Sequence, residues 1–188
     1  MNRREALERV ALIFGGTVIG GAAFLQGCKT SDKGAFVFSL TPEQLAFLDE
    51  VAETIIPATN TPGAKAAKVG EFMQVMVTDC YEEKDQKIFS EGLVKIDEAA
   101  KAKFSKSFME STPEERTILF NEINKELKAY NEKKKENDPN HFFAMMKQLT
   151  LLGYFTSEIG ATQALRYVAI PGKYEGCIPY QKGDRAWA

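Results

Sequence analysis

Very few side chains in this sequence could do chemistry unaided. There is one histidine, His141, and there are three cysteines, Cys28, Cys80 and Cys177. A lone histidine cannot build a multi-histidine metal centre, and the paired Glu-x-x-His motifs of di-iron bundles are missing. Three cysteines without a C-x-x-C-H motif exclude c-type haem and clusters held by four thiolates. Asp138 lies three residues before His141, but Pro139 breaks any shared helical face. His141 therefore reads as a cap-region or surface residue rather than a ligand. No G-x-G-x-x-G stands between a strand and a helix, and no G-x-S-x-G elbow is present. The 26 acidic residues could supply a general acid/base pair, yet no spacing singles one out. The expectation is a chain with no catalytic, cofactor-binding or metal site of its own. The rival in which carboxylates in a helical pocket turn over a substrate ranks last.

The chemistry that does stand out is an address. Arg3 and Arg4 open the chain, and residues 10–24 follow without a charge and end in small residues. That is a charged n-region and an apolar h-region of signal-peptide length. As a helix the uncharged stretch rises about 22 Å, short of the roughly 30 Å hydrocarbon core. A cleaved signal over 1–27 thus fits better than a permanent anchor. Leu25-Gln26-Gly27-Cys28 resembles the lipobox of bacterial lipoproteins, with Gln26 the least usual occupant. Lipid on Cys28 would tether the chain through residues 28–39, each buried methylene contributing about 0.8 kcal/mol. The Arg3-Arg4 pair resembles a twin-arginine export signal. Asn2 and Ala6 depart from that pattern, so general secretory export stays open. With Cys28 blocked, Cys80 and Cys177 remain. In an oxidising compartment two thiols point to one disulfide, within the chain or to a partner. Closed internally, it would stabilise by about 4–5 kcal/mol on the chain-entropy model.

The rest of the chain must position whatever function exists, and it reads as helices. Its 188 residues carry a net charge of −2, from 24 Lys plus Arg against 26 Asp plus Glu. No basic face for nucleic acid is expected. Hydrophobic residues make up 44% and charged residues 27%, the balance of a folded domain rather than a disordered chain. Thr41-Pro42-Glu43-Gln44 and Thr112-Pro113-Glu114-Glu115 are two helix starts, each with Thr at the N-cap, Pro at N1 and a capping-box residue at N3. The first predicts a helix through Leu45, Leu48, Val51, Ala52, Ile55 and Ile56 that Pro57 ends. An uncharged, turn-rich loop covers 57–64. Helical spacing resumes over 69–81 through Phe72, Val75 and Met76, and over 84–104 with Ile88, Leu93, Ile96 and Ala100 inward. The Thr112 helix runs through Ile118, Leu119, Ile123, Leu127 and Tyr130, and frays into a charged stretch at 131–140. Residues 141–155 are apolar on nearly all sides, so that helix is central to the core or lies against a partner. One more helix is expected over 158–167. The last twenty residues are rich in Gly, Pro and aromatics and read as an ordered irregular tail. The fold class is all-α: one irregular bundle of five to six helices over 40–188.

Three segments resemble a known family. They are Thr54-Ile55-Ile56-Pro57-Ala58-Thr59-Asn60-Thr61-Pro62-Gly63-Ala64, then Leu151-Leu152-Gly153-Tyr154-Phe155-Thr156-Ser157-Glu158-Ile159-Gly160, then Pro171-Gly172-Lys173-Tyr174-Glu175-Gly176-Cys177. In that order they resemble gluconate 2-dehydrogenase subunit 3 proteins over roughly 40–187. The resemblance implies a non-catalytic small subunit with no cofactor of its own. FAD would sit in a large partner of the glucose-methanol-choline oxidoreductase type that oxidises a sugar or sugar acid. Haem would sit in a cytochrome c partner. The small subunit would support export and maturation of the flavoprotein, and the lipobox would add a membrane tether facing the periplasm of a bacterial envelope. Interface candidates are Tyr154, Phe155, Tyr174, Tyr180 and Trp187, since aromatics are enriched in interface cores. Tyr154 and Phe155 serve equally well as filling for the domain's own core. The alternative function is a free-standing helical envelope lipoprotein that acts as a binding module.

Overall fold

Both Thr-Pro starts form helices by the expected device. Thr41 Oγ1 accepts from the Gln44 amide, and Gln44 Oε1 accepts from the Thr41 amide at 2.9 Å. Thr112 and Glu115 exchange the same pair, at 3.3 and 2.8 Å. Each box satisfies two of the amides that a helix start leaves unpaired. The computed structural model describes residues 38–170 and 172–188. Arg3, Arg4 and Cys28 lie outside the described residues, as do the signal segment and most of the tether.

Five α-helices follow in order: α1 (Pro42–Ile55), α2 (Val69–Cys80), α3 (Glu83–Phe104), α4 (Pro113–Lys133) and α5 (Phe142–Thr156). A π-helical turn, Gly160–Ala164, and the irregular tail complete the chain. Among the described residues the only ladder-type pairing is one isolated bridge between Arg166 and Trp187. The fold is all-α. None of the described helices is long and apolar enough to cross a membrane.

α5 is the central helix, touching α1, α2, α3 and α4. It buries Phe142, Phe143, Met145, Met146, Leu149, Thr150, Gly153 and Tyr154. That is the all-round apolar helix expected over 141–155, resolved in favour of the core. Two glycines permit the close approach. A Cβ on Gly92 of α3 would sit 2.6 Å from the Phe142 ring, and one on Gly153 would sit 2.6 Å from the Phe72 ring of α2. A chain of rings, Phe47, Phe108, Phe120 and Phe143, ties α1, the α3–α4 loop, α4 and α5 at centroid distances of 4.8, 5.5 and 5.1 Å.

Several expected features turn out differently. In α2 the fully buried side chains are Val69, Met73 and Val77, whereas Val75 is 57% exposed. The inward face is rotated from the Phe72–Val75–Met76 reading, with Phe72 and Met76 at the core's edge. Ile118 of α4 is exposed and Phe120 takes its place inside. Phe38, expected in the tether, is buried edge-on against Phe89 at 5.9 Å. The helix expected over 158–167 is shorter: Glu158 and Ile159 are helical, and the chain then passes into the five-residue π turn. Gly160 approaches α5 so closely that a Cβ would meet the Tyr154 carbonyl at 1.8 Å. Leu165 is already extended, so the chain leaves helical geometry before Arg166.

Candidate functional site

Two regions outside the helical core carry residues with a defined job. The first is the loop 57–68, uncharged over 57–64 and closed by Lys65 and Lys68. α1 presents Asp49, Glu50 and Glu53 to it. Glu53 accepts from the amides of Ala58 at 2.8 Å and Lys65 at 2.9 Å. A Cβ on Gly63 would meet that carboxylate at 2.2 Å, so a larger residue there would have to displace Glu53 from the two amides it holds. Asp49 accepts from the Gly70 amide at 3.1 Å. Burial pushes the Asp49 carboxyl up, and the Gly70 amide and Lys65 oppose that shift. Glu50 accepts from both Lys65 and Arg116. Burial alone would raise the Glu50 carboxyl, but hydrogen bonds from the two cations outweigh it and hold the group below its ordinary value.

The same loop is pinned from the other side by α5. Tyr154 is 2% exposed and its hydroxyl donates to the Pro62 carbonyl at 2.7 Å. The expectation of Tyr154 at a partner interface is therefore corrected: its ring and its hydroxyl are both used inside this chain. Phe155 meets the Tyr154 ring edge-on at 5.2 Å and is 39% exposed. Together with Leu151 and Leu152 it forms an outward apolar strip on the last turns of α5.

Arg116 of α4 completes the scaffold. Its Nε donates to the Phe108 carbonyl at 3.0 Å and its Nη2 to the Met109 carbonyl at 2.9 Å. Its guanidinium also lies 5.0 Å over the Phe108 ring. Gln86 caps the end of α2, donating to the carbonyls of Val77, Thr78 and Tyr81 at 3.0 to 3.1 Å. His141 is the N-cap of α5, its Nδ1 accepting from the Phe143 amide at 3.2 Å. Burial lowers its pKa, with Lys95 acting in the same direction and Glu126 against it.

The second region is the tail. Tyr174 is 95% exposed, Ile170 85% and Tyr180 73%. Val168, Ile170, Tyr174, Ile178 and Trp187 line an open groove of about 880 Å³. The tail is anchored on the π turn by Arg166 and Arg185. Cys177 lies within it, exposed and free, and Cys80 at the end of α2 is also exposed and free. The internal bridge expected between them is not made in this structure. The tail's polar anchors are Thr162, Gln163 and Arg166.

A family model described as gluconate 2-dehydrogenase subunit 3 matches residues 42–172. The chain belongs to that family. No curated protein and no solved structure matches it. The subunit 3 match begins at the first residue of α1 and takes in all five helices, the pinned loop and the π turn. It stops short of the expected reach to 187 and enters the third resembling segment only by its first residues. The first two resembling segments meet physically, since Tyr154 of one donates to Pro62 of the other.

Sequence reasoning singled out none of Asp49, Glu50, Glu53, Gln86, Arg116, Arg166 or Arg185. The nearest signal was the loop itself: an uncharged Pro-Gly stretch beside an acidic helix end asks what receives its amides. Among the described residues no group of three or more His, Cys, Asp and Glu could hold a metal ion. Asp49, Glu50 and Glu53 are each engaged by amides or cations of this chain, and together they hold the loop's backbone on α1.

Proposed function

We propose that this chain is the non-catalytic accessory subunit of a membrane-associated, FAD-dependent dehydrogenase complex that oxidises a sugar or sugar acid. In this reading a separate flavoprotein of the glucose-methanol-choline type holds FAD, and a cytochrome c subunit takes the electrons through haem. Lipid on Cys28 tethers the complex on the periplasmic side of the bacterial envelope, and the Arg3-Arg4 signal exports the small subunit together with its partner. Family membership supports the subunit role.

The observation that carries the reading is the tail. Ile170, Tyr174 and Tyr180 stand in solvent on one short segment. Each large apolar side chain left in water forgoes about 1.5–3 kcal/mol of burial. Clustered apolar exposure marks interaction surfaces on folded monomers, and tyrosine and tryptophan are the side chains that anchor such interfaces. Phe155 with Leu151 and Leu152 offers a second apolar strip.

The test is gentle affinity purification from detergent-solubilised membranes, with an absorbance spectrum and mass identification of companions. The expected result is a large companion with a flavin spectrum, reduced in yield by Tyr174→Ser or Tyr180→Ser. Cys28→Ala should move the complex out of the membrane fraction while the domain still folds. A colourless monomer from cells that make a candidate flavoprotein would overturn the reading. It would favour a free-standing lipoprotein that uses the 880 Å³ tail groove for binding.

A further inference from the structure

The tail returns to its own starting point. After the π turn the Arg166 amide donates to the Ala186 carbonyl at 2.7 Å, and the Ala188 amide donates back to the Arg166 carbonyl at 3.0 Å. These two bonds make the parallel bridge between Arg166 and Trp187. The Arg166 Nε donates to the Arg185 carbonyl at 2.7 Å, and its guanidinium lies 4.5 Å from the centre of the Trp187 ring. Arg185 Nη1 reaches the carbonyls of Gln163 at 2.7 Å and Thr162 at 3.3 Å, at the end of the π turn. A second turn, with the Gln181 amide on the Asp184 carboxylate at 2.9 Å, redirects the chain toward this closure.

We propose that these contacts form a clasp, with Arg166 and Arg185 holding the last residues so that the aromatic segment 167–186 is kept as a closed loop that can open without unfolding the core. Three features require it. The loop's residues over 167–170 and 172–186 are exposed, so the core does not hold them. The clasp's polar contacts are all at exposed positions, where each is weak. Against them stands the closure entropy of a long segment, which puts opening well below global unfolding. Closure presents Tyr174 and Tyr180 in one arrangement and so lowers the ordering cost of any docking event. That last consequence rests on the accessory-subunit reading; the closure itself does not.

The test uses the chain alone, because Trp187 is its one tryptophan and sits in the clasp. In the wild type, tryptophan emission and anisotropy should change at a lower temperature than the helical signal at 222 nm. Arg166→Ala should lower the anisotropy at 25 °C, shift the emission to longer wavelength, and speed tryptic cleavage after Lys173 and Lys182 at least tenfold, with the 222 nm melting temperature kept. Arg166→Lys should fall between. Arg185→Ala, which touches only backbone carbonyls of the π turn, gives the same readout should the Arg166 variants not accumulate. Coincident transitions in the wild type, or unchanged anisotropy and cleavage in the variants, would overturn the clasp. Flavoprotein capture measured in parallel separates the two ideas. An open clasp with full capture removes its role in docking, and a closed wild-type clasp with no capture removes the accessory reading alone.

Discussion

Tyr154→Phe discriminates between the two roles open to this residue. The substitution keeps the ring that fills the end of the bundle and its edge contact with Phe155. It removes only the hydroxyl that donates to Pro62 at 2.7 Å. A net intramolecular hydrogen bond contributes about 0.5–1.5 kcal/mol. For a domain of this size 1 kcal/mol moves the melting temperature by about 2–4 °C. The expected loss is about 1 kcal/mol, read as a fall of about 3 °C in the 222 nm transition. Tyr154→Ala removes the ring as well and should cost about 3–5 kcal/mol, as large aromatic truncations in cores do. The loop should respond locally too, with faster hydrogen exchange at the Ala64 amide, which donates to the Ile56 carbonyl at 3.0 Å. A Phe variant that melts with the wild type while losing partner affinity would return Tyr154 to the interface and refute the assignment.

Gly63→Ala should destabilise by about 1–3 kcal/mol, the range of overpacked sites, because the Glu53 carboxylate cannot yield without dropping the Ala58 and Lys65 amides; urea unfolding measures it, and a neutral result would mean the loop is not held as described. His141 has a folded pKa below its unfolded value, so its contribution is fully present above about pH 6.5 and is lost as pH falls through the folded pKa. Urea midpoints between pH 7.5 and 5 should therefore drop in the wild type and drop less in His141→Asn, which caps α5 without titrating; parallel pH curves would refute this. Glu50 has its pKa held down by Lys65 and Arg116, so its contribution is present above the ordinary carboxylate range and lost in stronger acid, and Glu50→Gln should flatten that acid limb. Cys80→Ser should leave the melting temperature within about 1 °C under oxidising conditions, as exposed surface changes do, since the thiol is exposed and free; a fall of several degrees would restore the bridge.

What was legible in the sequence were features whose information is local. The two capping boxes span four residues each, and the apolar wrap of 141–155 is a property of one segment. Longer-range chemistry was not legible for a stated reason. Glu53 is one of 26 acidic residues, and its partners are backbone amides, which carry no residue signature. Tyr154 finds its acceptor 92 residues away, and an aromatic at a helix end reads equally as core or interface until that acceptor is known. The α2 face was misread because Val69, Phe72, Met73, Val75, Met76 and Val77 offer two overlapping apolar stripes. Only the neighbours choose between them, and Gly153 admits Phe72 at the edge while Met73 and Val77 take the interior. The π turn was hidden because Gly160 fits a helical pattern as well as it fits a close approach to the Tyr154 carbonyl.

The two non-core regions differ in how their polar and apolar groups are satisfied, and that difference separates scaffold from surface. At the loop 57–68 the amides of Ala58 and Lys65 find Glu53, the Lys65 side chain finds Glu50, and Tyr154, the aromatic that pins the loop from α5, is buried. The groups named there are already engaged within the chain, which is why substitutions at Glu53, Gly63 and Tyr154 should register as stability. In the tail the polar groups of the clasp are paired but the apolar side chains are not, with Tyr174 almost wholly in water. A partner gains there whatever burial the chain itself leaves unused. Substitutions at Tyr174 and Tyr180 should accordingly register as lost association with an unchanged melting temperature. A variant of Tyr174 that lowers the 222 nm transition would break this division, because it would mean the tail is part of the core's cooperative unit.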